Sequence, residues 1–225
     1  MTLRPVIRLT QYRGHVLETP PATEPVSLQE VKAQLVVDGT ADDALLSSFI
    51  TEARQEIEEV TGLALIAQSW RLSLDHWPGG REEWWDGVRQ GAISDLYASG
   101  SPAWVEVPRY PLASIDAVTV FDEAGTPNVV SVASVFDIDT YQKPGRMALK
   151  RGQTWPVALR TVNAIQIEYT AGYGAAVDVP APIKRAIKNM VAHMYSHRGD
   201  GCSAGDAYHE SGAAMIVGRY QVVRI

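Results

Sequence analysis

The chain has a single cysteine, Cys202, so no disulfide can close within it, and a reducing compartment is the expectation. It also lacks a basic excess. With a formal net charge of −6 at pH 7 it is not built chiefly to neutralise nucleic-acid phosphates, although a local basic patch is compatible with that total. No apolar run approaches a membrane span, and Met1 to Thr10 carries Arg4 and Arg8 with no signal-peptide core behind them. The expectation is a soluble, unexported chain with no membrane partner. The signatures of catalysis are missing too: there is no nucleophile elbow, no phosphate-cradling glycine loop with its lysine and no helical His-Glu motif. These absences predict a protein that is not an enzyme and holds no cofactor. At 225 residues the chain suits one domain with extensions better than two domains.

What is present reads best near the C-terminal side. The β-prone run Ile167-Glu168-Tyr169-Thr170-Ala171 meets Gly172-Tyr173-Gly174, and Val179-Pro180-Ala181-Pro182 then opens a helix running to His197-Arg198. Two glycines permit a sharp turn, and a proline near the first helical position sacrifices no needed hydrogen bond. Ile183, Ile187, Met190 and Met194 form one helical stripe, with Lys184, Arg185, Lys188 and Asn189 largely outside it.

Residues 1–25 contain Pro5, Pro20, Pro21 and Pro25 without a sustained period and read as an extended arm. Ser27 and Glu30 then form a capping box, with Val26 placed to staple against Val31, and the short helix ends near Gly39. A longer helix follows Thr40 to Asp43, with Leu46, Phe49, Ile50, Ala53, Ile57 and Val60 as its buried stripe and Gly62 as its stop. Glu52, Glu56, Glu58 and Glu59 lie off that stripe, either as a solvated face or as a surface turned to DNA or a charged neighbour.

Beyond Gly62 the pattern turns to β. Trp70, Leu72 and Leu74 alternate with polar residues, Ile115 to Phe121 is rich in β-branched side chains, and Asp122-Glu123-Ala124-Gly125 and Lys143-Pro144-Gly145-Arg146 mark reversals. A small, mostly antiparallel β insertion at about residues 68–170 is predicted inside a helical body, an α+β fold. Between Trp77 and Ser101 the glycines read as a long loop, whose Trp84 and Trp85 are either folded back or held out to a partner. The end, 199–225, reads as a flexible glycine-rich link followed by an apolar segment that docks on the chain's own sheet or adds a strand to another protein's sheet edge.

Two further clusters invite a function. His193 and His197 stand four apart on a helix with Cys202 and His209 following, a metal-binding or enzymatic possibility that lacks a second matching pair. Lys184, Arg185 and Lys188 are the candidates for a nucleic-acid-binding, packaging-associated protein.

Three blocks in order carry a family likeness: the helix pair from Ser27 to Gly62, the turn Val107-Pro108-Arg109-Tyr110-Pro111-Leu112-Ala113-Ser114-Ile115, and Tyr169 to Gly174 with the Pro182 to Arg198 helix. Over residues 26–198 the chain resembles the head-to-tail connector, or adaptor, proteins of long-tailed bacteriophages and gene transfer agents. The resemblance implies a structural subunit in the neck of a virion or phage-like particle, assembled in the bacterial cytoplasm. Its partners would be copies of itself in a dodecameric ring, the portal protein above, a tail-side (stopper) protein below, and DNA passing without sequence specificity. It carries over no active-site residues. Residue chemistry then nominates Met215, Ile216, Val217, Arg219, Tyr220, Val222, Val223, Arg224 and Ile225 as the portal anchor within a tail at 199–225. Glu52, Glu56 and Glu59 are nominated for the channel, and Trp84 and Trp85 for a partner-contact loop.

Overall fold

The computed structural model describes residues 13–77, 104–158 and 160–221. In chain order the elements are β1 (Arg13–Thr19), α1 (Leu28–Leu35), α2 (Asp43–Thr61), β2 (Gln68–Leu74), β3 (Trp104–Glu106), β4 (Leu112–Phe121), β5 (Pro127–Val130), α3 (Val132–Val135), β6 (Phe136–Asp139), β7 (Arg146–Leu149), β8 (Ile165–Ala171), α4 (Ala181–Ser196), α5 (Ala204–Glu210) and α6 (Ala213–Val217). Single 3-10 turns follow at Ala176–Asp178 and Gly218–Tyr220. The fold is α+β. It divides into a helical unit, from Thr19–Gln68, Pro108–Ala113 and the described residues of Ala171–Ile225, and a β unit from those of Met1–Glu18, Ser69–Val107 and Ser114–Thr170.

The helical unit forms as its caps and stripes dictate. Ser27 Oγ accepts from Glu30 N at 3.2 Å while Glu30 Oε2 accepts from Ser27 N at 2.8 Å, closing the capping box of α1. The Ser27 backbone bond holds the Glu30 carboxyl below the usual glutamate range, against the opposing effect of partial burial. Because that value is lowered on folding, the box stabilises α1 above the unfolded glutamate value and is lost as pH falls through the folded one. Glu30→Gln is therefore expected to increase amide exchange in α1 at pH 7 and to make little difference near pH 3. Equal effects at both pH values would contradict this.

Leu46, Ile50, Ala53 and Ile57 of α2 pack with Ile183, Ala186, Ile187, Met190, Val191 and Met194 of α4, all at most 2% exposed. Gly62 ends α2 with φ +76, its N–H returning to Glu58 O at 2.9 Å. Val60, expected on the stripe, is 40% exposed instead. The insertion is not continuous either. Residues 108–113 return to the helical unit, where Ala64 N donates to Tyr110 O at 2.8 Å and the Tyr110 hydroxyl donates to Thr61 O.

In the β unit a five-stranded sheet has the order β1-β2-β8-β4-β5 and a three-stranded sheet the order β3-β7-β6. The pairs β4–β5, β3–β7 and β6–β7 are antiparallel. Leu72, Leu74, Val118, Ile165, Ile167 and Tyr169 are fully buried. Trp77 stacks on Trp155 at 4.6 Å and donates its indole N–H to Pro156 O at 2.7 Å. The stretch read as an extended N-terminal arm supplies β1. Its His15 stacks on Trp70 at 4.4 Å and lies 2.7 Å from the Tyr169 hydroxyl, contacts that no local period announces.

Candidate assembly surfaces

The acidic residues of α2 separate into three environments. Glu52 is exposed, and Glu59 is 79% exposed with a carboxylate oxygen 3.0 Å from Arg109. Glu56 is half-buried against α5, its Oε1 3.7 Å from where a side chain on Gly205 would begin. Glu58, read as lying off the buried stripe, is 7% exposed. Its Oε2 pairs with Arg54 at 2.6 Å, and its Oε1 accepts from Leu65 N at 2.8 Å and Gln68 Nε2 at 2.6 Å. Arg54 also binds Glu24 at 2.8 Å, which ties residues 19–26 to α2. A charge survives burial here because every oxygen is paired. Arg109, which no sequence motif marks, donates to Glu58 O, one of the last carbonyls of α2, at 2.5 Å.

The stretch expected to be a flexible tail is folded over 204–220. Ser203 and Asp206 close a second capping box, with Ser203 Oγ 3.1 Å from Asp206 N, and α5 and α6 bury Ala207, Tyr208, Ala213 and Val217 in the helical core. The Ser203 side-chain and backbone bonds hold the Asp206 carboxyl below the usual range. Among the nominated anchor residues, Met215 is 82% exposed and Arg219 is exposed, whereas Ile216 and Tyr220 are half-buried and Val217 is fully buried. Val222, Val223, Arg224 and Ile225 lie outside the described residues, as do Trp84 and Trp85.

The metal-like set is dispersed. His193 and His197 stack with their rings 4.2 Å apart, and His193 Nε2 lies 3.1 Å from Glu210 Oε2. Cys202 Sγ faces Ser203 O, and the His209 ring meets Tyr208 edge-on. Among the described residues no three His, Cys, Asp or Glu side chains converge as metal ligands. Of the basic candidates, Lys184 and Lys188 are half-buried and their charges help to lower the Glu30 carboxyl of α1, and Arg185 is exposed. No helix among the described residues is long and apolar enough to cross a membrane.

Comparison with known proteins gives two findings. Residues 25–81 match the model of the phage gp6-like head-tail connector proteins. Over nearly the whole chain the fold matches chains of solved particles. One, from the neck of an empty gene transfer agent particle computed with C6 symmetry, is 23% identical with a TM-score of 0.69, covering 95% of this chain and 96% of that one. Another, from the virion of a native gene transfer agent particle, is 24% identical with a TM-score of 0.68 and coverages of 94% and 96%. A third, from the neck of a native particle computed with C12 symmetry, is 24% identical with a TM-score of 0.66 and coverages of 93% and 97%. No curated protein matches the sequence. Residues 25–81 are thus similar to the head-tail connector proteins, and nearly the whole chain shares the fold of chains from gene transfer agent particles.

Proposed function

We propose that this protein is a structural head-to-tail connector subunit in the neck of a tailed-phage-like particle. The observation that carries the reading is the fold shared over almost the entire chain with a chain from such a neck. Copies form a closed ring, with twelve favoured by the C12 neck, between the portal and a tail-side protein, and the ring extends the DNA channel. Closed heterologous contacts generate rings of this kind. Glu52 and Glu59 are the acidic side chains of α2 most open to solvent, and they suit a channel wall to which passing DNA does not adhere. DNA is met without sequence readout.

The folded end of the chain changes how the anchor is tested. Removing residues 213–225 would strip Ala213 and Val217 from the core, so it confounds attachment with stability. Exposed Met215 and Arg219 are the sharper probes. Met215→Asp is expected to shift thermal unfolding by less than about 2 °C, as surface changes do, while preventing attachment to portal-bearing heads. Images of the necks of particles assembled with the unaltered chain are expected to show its ring directly beneath the portal. Heads that join tails normally without this protein would overturn the function. Normal attachment of Met215→Asp would overturn only the anchor.

A further inference from the structure

The pairing register sorts the side chains of the three-stranded sheet onto two faces. Val105, Met147 and Phe136 go inward and are at most 2% exposed. On the other face Trp104, Ala148 and Asp137 form one row across the strands, and Glu106, Arg146 and Asp139 form the next. The second row is partly matched within itself: Arg146 Nε lies 3.0 Å from Asp139 Oδ2, and its guanidinium sits 5.1 Å from the Trp104 ring centroid. Asp139 Oδ1 also accepts from the backbone N–H groups of Tyr141 and Gln142 at 3.1 and 3.2 Å. The first row is not matched. Ala148 stands between an indole and a carboxylate, and its small side chain leaves a hollow of about 370 Å³ bounded by Trp104, Asp137, Ile138, Asp139 and Arg146. Among the described residues no hydrogen bond or ion pair reaches the carboxylate of Asp137 or of Glu106. Tyr141, at the end of β6, is 96% exposed.

We propose that this hollow docks a lysine or arginine side chain presented by a basic segment of another protein, the alkyl stem lying across Ala148 beside Trp104 and the charge meeting Asp137. Charge complementarity selects that occupant. Three carboxylates share the face with one guanidinium, so a phosphate backbone is repelled and a cation is attracted. Arg146 shows within the molecule that the Trp104 ring holds a cation, and a long basic side chain covers apolar surface with its stem while keeping its charge in water. The inference stands on the β unit alone and does not depend on the ring.

The test uses the full-length protein, isotope-labelled, titrated with the peptide acetyl-Gly-Arg-Gly-amide and with its citrulline counterpart, which has nearly the same shape and no charge. Saturable shifts of the Trp104 indole and the Asp137 and Ala148 amides are expected with the arginine peptide only. Asp137→Asn should weaken binding about fivefold, as loss of an exposed ion pair does, and Ala148→Leu, which fills the hollow, should abolish it. Both variants should unfold at the parent temperature. Equal binding of the citrulline peptide, unchanged binding in Ala148→Leu, or shifts confined to other residues would overturn the proposal. So would self-association of the free chain that Asp137→Asn abolishes, since that would assign the hollow to a second copy.

Discussion

Gly172→Ala is expected to lower the midpoint of thermal unfolding by roughly 10 °C, the shift that about 3–5 kcal/mol produces in a chain of this size. Gly172 has φ +135, which L side chains rarely adopt, and a Cβ there would lie 2.4 Å from Ile66 O and 2.8 Å from Ala67 N. Those neighbours are backbone, held on either side: Gly172 N donates to Pro111 O at 2.9 Å, and Ala67 N donates to Gly174 O at 3.0 Å. The link between α2 and β2, the stretch 108–113 and the turn after β8 thus meet at one point, where no side chain can yield. Conformational strain and overpacking add there. Gly125→Ala is the control. Its φ is +82 with nothing within 4 Å, so only the backbone term remains, on the order of 1 kcal/mol. If the two variants unfold at the same temperature, the close approach at Gly172 has no energetic weight.

The second large effect belongs to Glu58. Replacing it by alanine leaves Arg54, whose side chain is 7% exposed, with only Glu24, and it orphans the Leu65 N–H and the Gln68 amide. Breaking a buried ion pair from one side costs about 3–5 kcal/mol. Urea unfolding of Glu58→Ala should show that loss, and Glu58→Gln, which retains a neutral acceptor, should fall between. Glu59→Ala, one residue along but exposed, should change stability by less than about 1 kcal/mol because it removes only a surface pair with Arg109. Similar losses at Glu58 and Glu59 would refute the assignment of the network as the reason.

These residues also mark what the sequence makes legible. Ser27 with Glu30, the apolar stripes of α2 and α4, and Gly62 are local signals, since each depends on spacing within one helix. The structure has all three features, with Val60 as the one stripe position turned outward. Glu58 was not readable as buried, because its partners Leu65, Gln68 and Arg109 converge only when the chain turns back after Gly62. β1 was missed for the same reason, as His15 finds its partner 154 residues away. The end of the chain is different: Ser203 and Asp206 form a helix-start pattern, followed by the apolar Ala207 and Tyr208. The glycines from Gly199 to Gly205 imitate a tether and mask that local signal. Surfaces that meet other proteins have no such internal signature, so the nominated anchor and channel residues were chosen by chemistry alone.

The polypeptide passes from one unit to the other five times, at 18/19, 68/69, 107/108, 113/114 and 170/171. Neither unit is therefore encoded by an uninterrupted stretch of gene. An exchange of sequence between genomes that breaks anywhere within residues 19–171 would pair part of one sheet or helix layer with a foreign complement, a break near 171 included, because α4 to α6 share their core with α1 and α2. Inheritance of this chain should thus be close to all-or-nothing, with variation by substitution rather than by replacement of segments.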